Sequence, residues 1–236
     1  MRTLACLLAV LLLGSSGIAA AGGIAPTKIT VTGTGSLSMM PDMATVNANI
    51  TTNAPASAGA VEQSNAAYDR VLAALAKLGI ARDDITLSYY NLSYHPKPQV
   101  MPAPPNYEPY GYTVSRNFAI RVYAIKAVGN VVDAATAAGV TQINGVQFGL
   151  ADAAPARSKA LTKAVADARG KALALAAAAN LHLVGIESIG LEQGGFAPLP
   201  IMRINVMPAP TAAPTTFDPS SVNVTVSVSI VYLAAP

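Results

Sequence analysis

Few of the 236 residues have side chains suited to acid–base, metal or nucleophilic chemistry. The two histidines, His95 and His182, could ligate a metal or shuttle a proton. Neither stands at metal-ligand spacing from the other or from a cysteine, so His95 reads as a solvated loop residue and His182 as a surface or boundary residue. Asp83 and Asp84 are adjacent carboxylates, the raw material of a general acid–base pair. They directly precede a strand-like run, where a turn and cap role fits better, and Asp42 after Pro41 is read the same way. Gly33-Thr34-Gly35 starts like a dinucleotide fingerprint but lacks the third glycine and the following helix. No Gly-x-Ser-x-Gly elbow and no Gly-x-x-x-x-Gly-Lys loop occurs. Arg169 could pair with nearby acids, and a structural role is expected. Met39, Met40, Met43, Met101, Met202 and Met207 could be oxidised sacrificially, though gap filling or loop exposure accounts for them more simply. The inventory therefore predicts no catalytic residue, no cofactor, no metal and no enzyme activity.

The N-terminus sets the compartment. Arg2 precedes an apolar run from Leu4 to Leu13, followed by small residues ending in Ala19-Ala20-Ala21. A basic start, a short apolar stretch and an A-x-A-like end describe a secretory signal peptide over residues 1–21, cleaved near Ala21. Spanning a bilayer takes ~20 apolar residues, and no run in the remainder is that long without charge or proline. The sole cysteine, Cys6, lies in this leader, so the exported chain, residues 22–236, has neither disulfide nor thiolate to offer. Basic residues are scattered singly, so the net charge of +3 gives no reason to expect nucleic acid as a partner.

Strand and helix periods alternate along the exported chain. Ala44, Val46, Ala48 and Ile50 alternate with polar residues, as do Val222, Val224, Val226, Val228, Ile230 and Tyr232 near the C-terminus. Ile29 and Val31 begin another strand, with the segment Gly33 to Asp42 as a connection. Val114, Phe118, Ile120 and Val122 form the inward set of a strand that follows Gly111. One helix places Val61, Ser64, Tyr68, Val71, Leu72, Leu75 and Leu78 on its inner face and stops at Gly79. A second does so with Val128, Val131, Val132 and Ala135 and stops at Gly139. Each stop is followed by an aliphatic residue (Ile80, Val140) and then a strand-like run, a weak internal helix–strand repeat.

Residues 171–181, KALALAAAANL, belong to a third helix. Leu161, Val165, Ala168, Ala172, Leu175, Ala176 and Ala179 gather on one predicted face, and Lys159, Lys163, Asp167 and Lys171 step by four along another. A membrane helix would not hold that charged stripe, so the helix belongs to a core, where its alanines permit close approach to a sheet. Asn180 is placed to end it in the left-handed conformation, with Leu181 in the position of Ile80 and Val140.

Two proline-rich insertions, residues 95–110 and 194–220, break the pattern. Loops of that length are functional, disordered or part of an assembly. Six of the nine tyrosines surround the first: Tyr89, Tyr90, Tyr94, Tyr107, Tyr110 and Tyr112. Tyrosine is enriched at interfaces, so Tyr94, Tyr107, Tyr110 and Tyr112 are candidate oligomer or partner contacts. The alternatives are a ligand-gripping arm, strand packing and a hairpin tip without function.

The order of Met40-Pro41-Asp42, "LAKLGI", "DITLSYYNLSY", "GYTVSRNFAIRVYAI", "INGVQFGLAD" and "ALTKAVADARGKALALA" resembles the SIMPL-domain family, formerly a domain of unknown function. The resemblance covers roughly Ile29 to Leu233. It implies an α+β fold of antiparallel strands with helices packed on one side, and one SIMPL-like domain over residues 22–236. It also implies an envelope location, a tendency towards ring- or channel-like homo-oligomers and a link to stress tolerance. It brings no catalytic residues. The expected function is a non-enzymatic periplasmic or secreted protein acting by self-assembly or by binding an envelope protein. Competing readings are a channel-forming oligomer associated with the outer membrane, and a small-ligand binder or hydrolase whose site the sequence hides.

Overall fold

The computed structural model describes residues 26–97, 110–192 and 215–236. The leader, Tyr107 and most of both proline-rich insertions lie outside them. In chain order the elements are β1 (Thr27–Met39), β2 (Met43–Ala54), α1 (Ser57–Lys77), β3 (Ile85–His95), β4 (Gly111–Val122), α2 (Val128–Ala138), β5 (Gln142–Gly149), α3 (Ala154–Ala178), β6 (His182–Glu192) and β7 (Val222–Ala235). The strands form two antiparallel sheets, ordered β3-β4-β2-β5 and β1-β7-β6. Helices α1 and α2 pack on one face of the first, and α3 packs on one face of the second. The fold is α+β.

Each sheet has its own core. Ala44, Val46, Ile50, Phe118 and Ile120 meet Val71, Leu75, Val128 and Val131 under α1 and α2. Val31, Val228, Ile230 and Tyr232 meet the alanines of α3. Asp42 ties the two chain crossings between the sheets: its amide donates to the Gly149 carbonyl at 3.1 Å, and its Oδ1 accepts from the Ala151 amide at 2.7 Å. The turn role expected of Asp42 is thus a clasp at the junction.

All three helices end alike. Gly79, Gly139 and Asn180 have positive φ. The next amides, of Ile80, Val140 and Leu181, donate back to Leu75, Ala135 and Ala176 at 3.1, 3.1 and 2.8 Å. This is the six-to-one bond of a left-handed helix stop. It explains why an aliphatic residue follows each one.

Three expectations need correction. Residues Gly33 to Met39 are part of β1, not a connection, and pair with β7 throughout. In α1, Leu78 lies beyond the last turn and is exposed, while Ala60 and Ala67 join the buried face. In α3 the buried row is Ala156, Ala160, Ala164, Ala168, Ala172 and Ala176, whereas Leu161, Val165, Leu175 and Ala179 are exposed. The reason is distance. A methyl at Gly33 or Gly35 would run into the backbone carbonyl of Ala164 or Ala160, so helix and strand lie almost in backbone contact. Only methyl groups fit such a gap, and the larger side chains of α3 are left on its flanks.

Candidate interaction surface

The two edges of the β1-β7-β6 sheet differ. On β1 the residues whose backbone points outward are met by the charged flank of α3. Lys171 Nζ donates to the Thr32 carbonyl at 3.0 Å, the Thr34 amide donates to Asp167 Oδ2 at 2.9 Å, and Lys163 Nζ donates to the Ser36 carbonyl at 3.2 Å. Lys171 also pairs with Asp167 at 2.7 Å. The Lys171 ammonium, helped by the Thr34 amide, holds the Asp167 carboxyl below its usual 3.8. Side chains thus occupy the groups to which a further strand would bond.

The opposite edge, β6, has no such cover among the described residues. Sequence periodicity gave no strand here, because register shifts between Leu183 and Gly185 and between Ile186 and Ser188 break the alternation. The register sets Ile186, Ile189 and Leu191 opposite Tyr232, Ile230 and Val228 on the face that α3 covers. The helix stops short of them: Ile189 and Leu191 remain 60% and 61% exposed. Leu161, Val165 and Leu173, in one i,i+4 row of α3 with the exposed Arg169 among them, are also exposed.

The other sheet has a similar margin. In β3 the residues Leu87, Tyr89, Tyr90, Leu92 and Tyr94 are all exposed. Tyr94 pairs in register with Tyr112, with ring centroids 4.9 Å apart. Tyr110 is exposed, and the Lys97 ammonium lies 5.0 Å from its ring centroid. Three of the four candidate contact residues are therefore together at one end of the β3–β4 hairpin; Tyr107 lies outside the described residues.

The remaining candidates are scattered. His95 ends β3, its Nε2 3.0 Å from Ser93 Oγ, and His182 begins β6. Asp83 and Asp84 sit in the turn before β3, where Asp84 pairs with Arg121 at 3.5 Å and accepts from the Tyr123 hydroxyl at 3.3 Å. Arg169 is exposed and makes no ion pair among the described residues. No group of His, Cys, Asp or Glu that could hold a metal occurs among the described residues. The Gly33-Thr34-Gly35 stretch serves the close α3–β1 contact.

Arg116 was not anticipated. It occupies the inward row of β4 between Val114 and Phe118 and is only 9% exposed. Its Nη2 donates to Asn65 Oδ1 at 2.6 Å, and its guanidinium lies over the rings of Tyr68 and Tyr90. A charged residue inside an apolar alternation was the one available signal.

Residues 29–232 match the SIMPL family, described as a protein of unknown function (DUF541). The chain belongs to the SIMPL family. Among its SIMPL relatives is the 26 kDa periplasmic immunogenic protein of Brucella melitensis, 31% identical over 213 residues, covering 86% of this chain and 84% of the relative. The Brucella abortus protein of the same name is 33% identical over the same length and shares of each chain. The uncharacterized protein YggE of Escherichia coli K12 is 25% identical over 228 residues, covering 95% of this chain and 91% of YggE. The SIMPL match spans both sheets and all three helices. Among the described residues of this SIMPL chain, no helix is long and apolar enough to cross a membrane.

Proposed function

We propose that this SIMPL-family chain is a non-enzymatic periplasmic protein that acts by self-assembly or by binding an envelope protein, through strand addition at an open sheet edge. The periplasmic name of the Brucella relatives and the leader-like N-terminus support the location. The observation that carries the reading is the contrast between the edges. The backbone of β1 is covered by Lys163, Asp167 and Lys171. Among the described residues no side chain bonds the outer backbone of β6, which exposes Val184, Ile186, Ile189 and Leu191 and whose Glu187 is turned to an ion pair with Lys28. Exposed apolar edge strands are a liability that soluble proteins normally blunt with charge, proline or cover. Leaving one edge open while the other is covered favours use of the open one. The Tyr94–Tyr112 pair and Tyr110, on the other sheet, offer a second candidate contact. A part in oxidative or envelope stress tolerance belongs to the same proposal, and survival of a deletion strain under oxidant tests it.

A second reading follows from the unlike apolar edge strands β3 and β6 on one chain. If β3 of one copy pairs with β6 of the next, the contact is head-to-tail, and it gives a ring where the rotation closes and a filament where it does not. The mass of residues 22–236 in solution, by size exclusion with light scattering, tests both readings. A defined assembly that dissociates in Ile189→Lys supports the β6 edge. One that dissociates when residues 97–109 are replaced by a short Gly-Ser link supports the tyrosine hairpin. A monomer in every case, with no envelope protein captured by cross-linking, refutes the proposal.

A further inference from the structure

Arg116 is a largely desolvated cation with no described carboxylate beside it. Its bond to Asn65 uses one of five N–H donors, and its Nε has no partner among the described residues. Stacking on Tyr68 at 4.6 Å and Tyr90 at 5.2 Å offsets part of the lost hydration but leaves the unit of charge unbalanced. Two more buried groups on the same face of α1, Ser64 Oγ and Tyr68 OH, also lack partners. They stand one helical turn apart, and the Tyr68 ring is the one that carries the guanidinium. Unsatisfied buried polar groups are rare in native proteins, and three in one place need a cause. All three can donate, and what they lack is an acceptor carrying negative charge.

The surroundings narrow the acceptor. Among the described residues only Arg116 is a buried charged residue; the Arg82 guanidinium on the same Tyr68 ring at 5.5 Å belongs to an exposed residue, where water solvates its charge. One desolvated positive charge calls for one negative charge. Arginine's planar fork matches a carboxylate. Next to Arg116 the register places Leu87, Tyr90 and Leu92 of β3, opposite Phe118, Arg116 and Val114, on the face that the helices cover elsewhere. All three are 41% to 50% exposed because α1 lies over β2 and β4 and does not reach them. A charged head at Arg116 would therefore continue onto an apolar shelf. We propose that Arg116, Tyr68, Ser64 and Tyr90 bind the carboxylate of an apolar monoanion such as a medium-chain fatty acid, with its body lying along Leu87 and Leu92. The site lies on the face of β3 and leaves its edge free, so it does not depend on assembly.

The test is calorimetric titration of residues 22–236 with sodium decanoate below its micelle concentration, with decanol and acetate alongside. Decanoate binds at one saturable site, and both controls bind at least about tenfold more weakly. Arg116→Met, which keeps the bulk and removes the charge, abolishes decanoate binding while circular dichroism stays native. Tyr68→Phe and Ser64→Ala remove hydroxyls that have no partner, so the unliganded melting temperature holds while decanoate affinity falls several-fold. These two variants decide the matter if Arg116→Met does not fold. Absence of saturable binding, decanol binding as tightly as decanoate, or unchanged affinity in Arg116→Met or in both hydroxyl variants overturns the proposal.

Discussion

Replacing Gly35 with alanine probes the contact on which the second sheet depends. The added methyl would lie 2.5 Å from the Ala164 amide nitrogen and 3.0 Å from the Ala160 carbonyl carbon, and closer still to the Ala160 carbonyl oxygen. These are backbone atoms, so no rotamer change relieves the overlap, and α3 must retreat by about 1 Å. A gap of that size forfeits about a quarter to a half of the dispersion attraction along the interface. Six alanine methyls line it, and at ~0.8 kcal/mol per buried methyl that loss comes to about 1–2.5 kcal/mol. The retreat also loosens the three side-chain bonds to β1, each worth about 0.5 kcal/mol at the surface. Gly35→Ala is thus expected to cost about 3 kcal/mol, at the upper end of ordinary overpacking.

The same substitution at Gly170 should have the opposite sign. Gly170 lies mid-helix in α3, and nothing stands within 4 Å of the position its Cβ would take. Alanine there gains about 1 kcal/mol of helix propensity. Urea unfolding followed by circular dichroism suits both variants, since the chain has no tryptophan. The reasoning fails if Gly35→Ala stays within about 1 kcal/mol of the parent at unchanged m, or if Gly170→Ala is destabilising.

Three further outcomes are expected. Asp167 is held below 3.8 in the folded chain by Lys171 and then by the Thr34 amide. Its contribution is therefore complete above 3.8 and lost as pH falls through the lower folded value; Asp167→Asn should flatten the acid limb of the stability curve there and leave its neutral and alkaline shape intact. Asn180→Ala places a Cβ residue without local hydrogen bonding at φ 55° and should cost about 1 kcal/mol in urea unfolding, while Asn180→Gly should be neutral or stabilising. Asp42→Ala removes the acceptor for the Ala151 amide and should cost about 1 kcal/mol, with faster hydrogen exchange at Ala151 as its local sign.

Local rules made much of the fold legible. Val128, Val131, Val132 and Ala135 were placed correctly because their spacing alone fixes which side of α2 is apolar. The three helix stops were readable because left-handed backbone selects Gly or Asn. The inner face of α3 was misread because hydrophobicity ranks Leu161 and Val165 above alanine, whereas a helix lying on Gly33 and Gly35 is sorted by size. Strand β6 was missed because its two register shifts erase the alternation that identifies a strand. In the candidate sites, Tyr94, Tyr110 and Tyr112 could be named from their clustering at the insertion. Arg116 could not, because the arginine in Val114-x-Arg116-x-Phe118 looks like an interruption of the inward row when it is a member of it.

The unequal edges also constrain what an assembly can look like. With β1 covered, the β1-β7-β6 sheet can grow only past β6. Two β6 strands pairing antiparallel make a twofold contact that uses up both open edges, so growth on that sheet stops at a dimer. Pairing of β6 with β3 leaves one unlike edge free at each end, so growth continues past two chains, to a ring where the rotation closes and a filament where it does not. The mass in solution separates the two: a β6-paired assembly holds two chains, whereas a β6–β3 ring holds three or more. Ile189→Lys should return either to the monomer, and a two-chain mass refutes the ring.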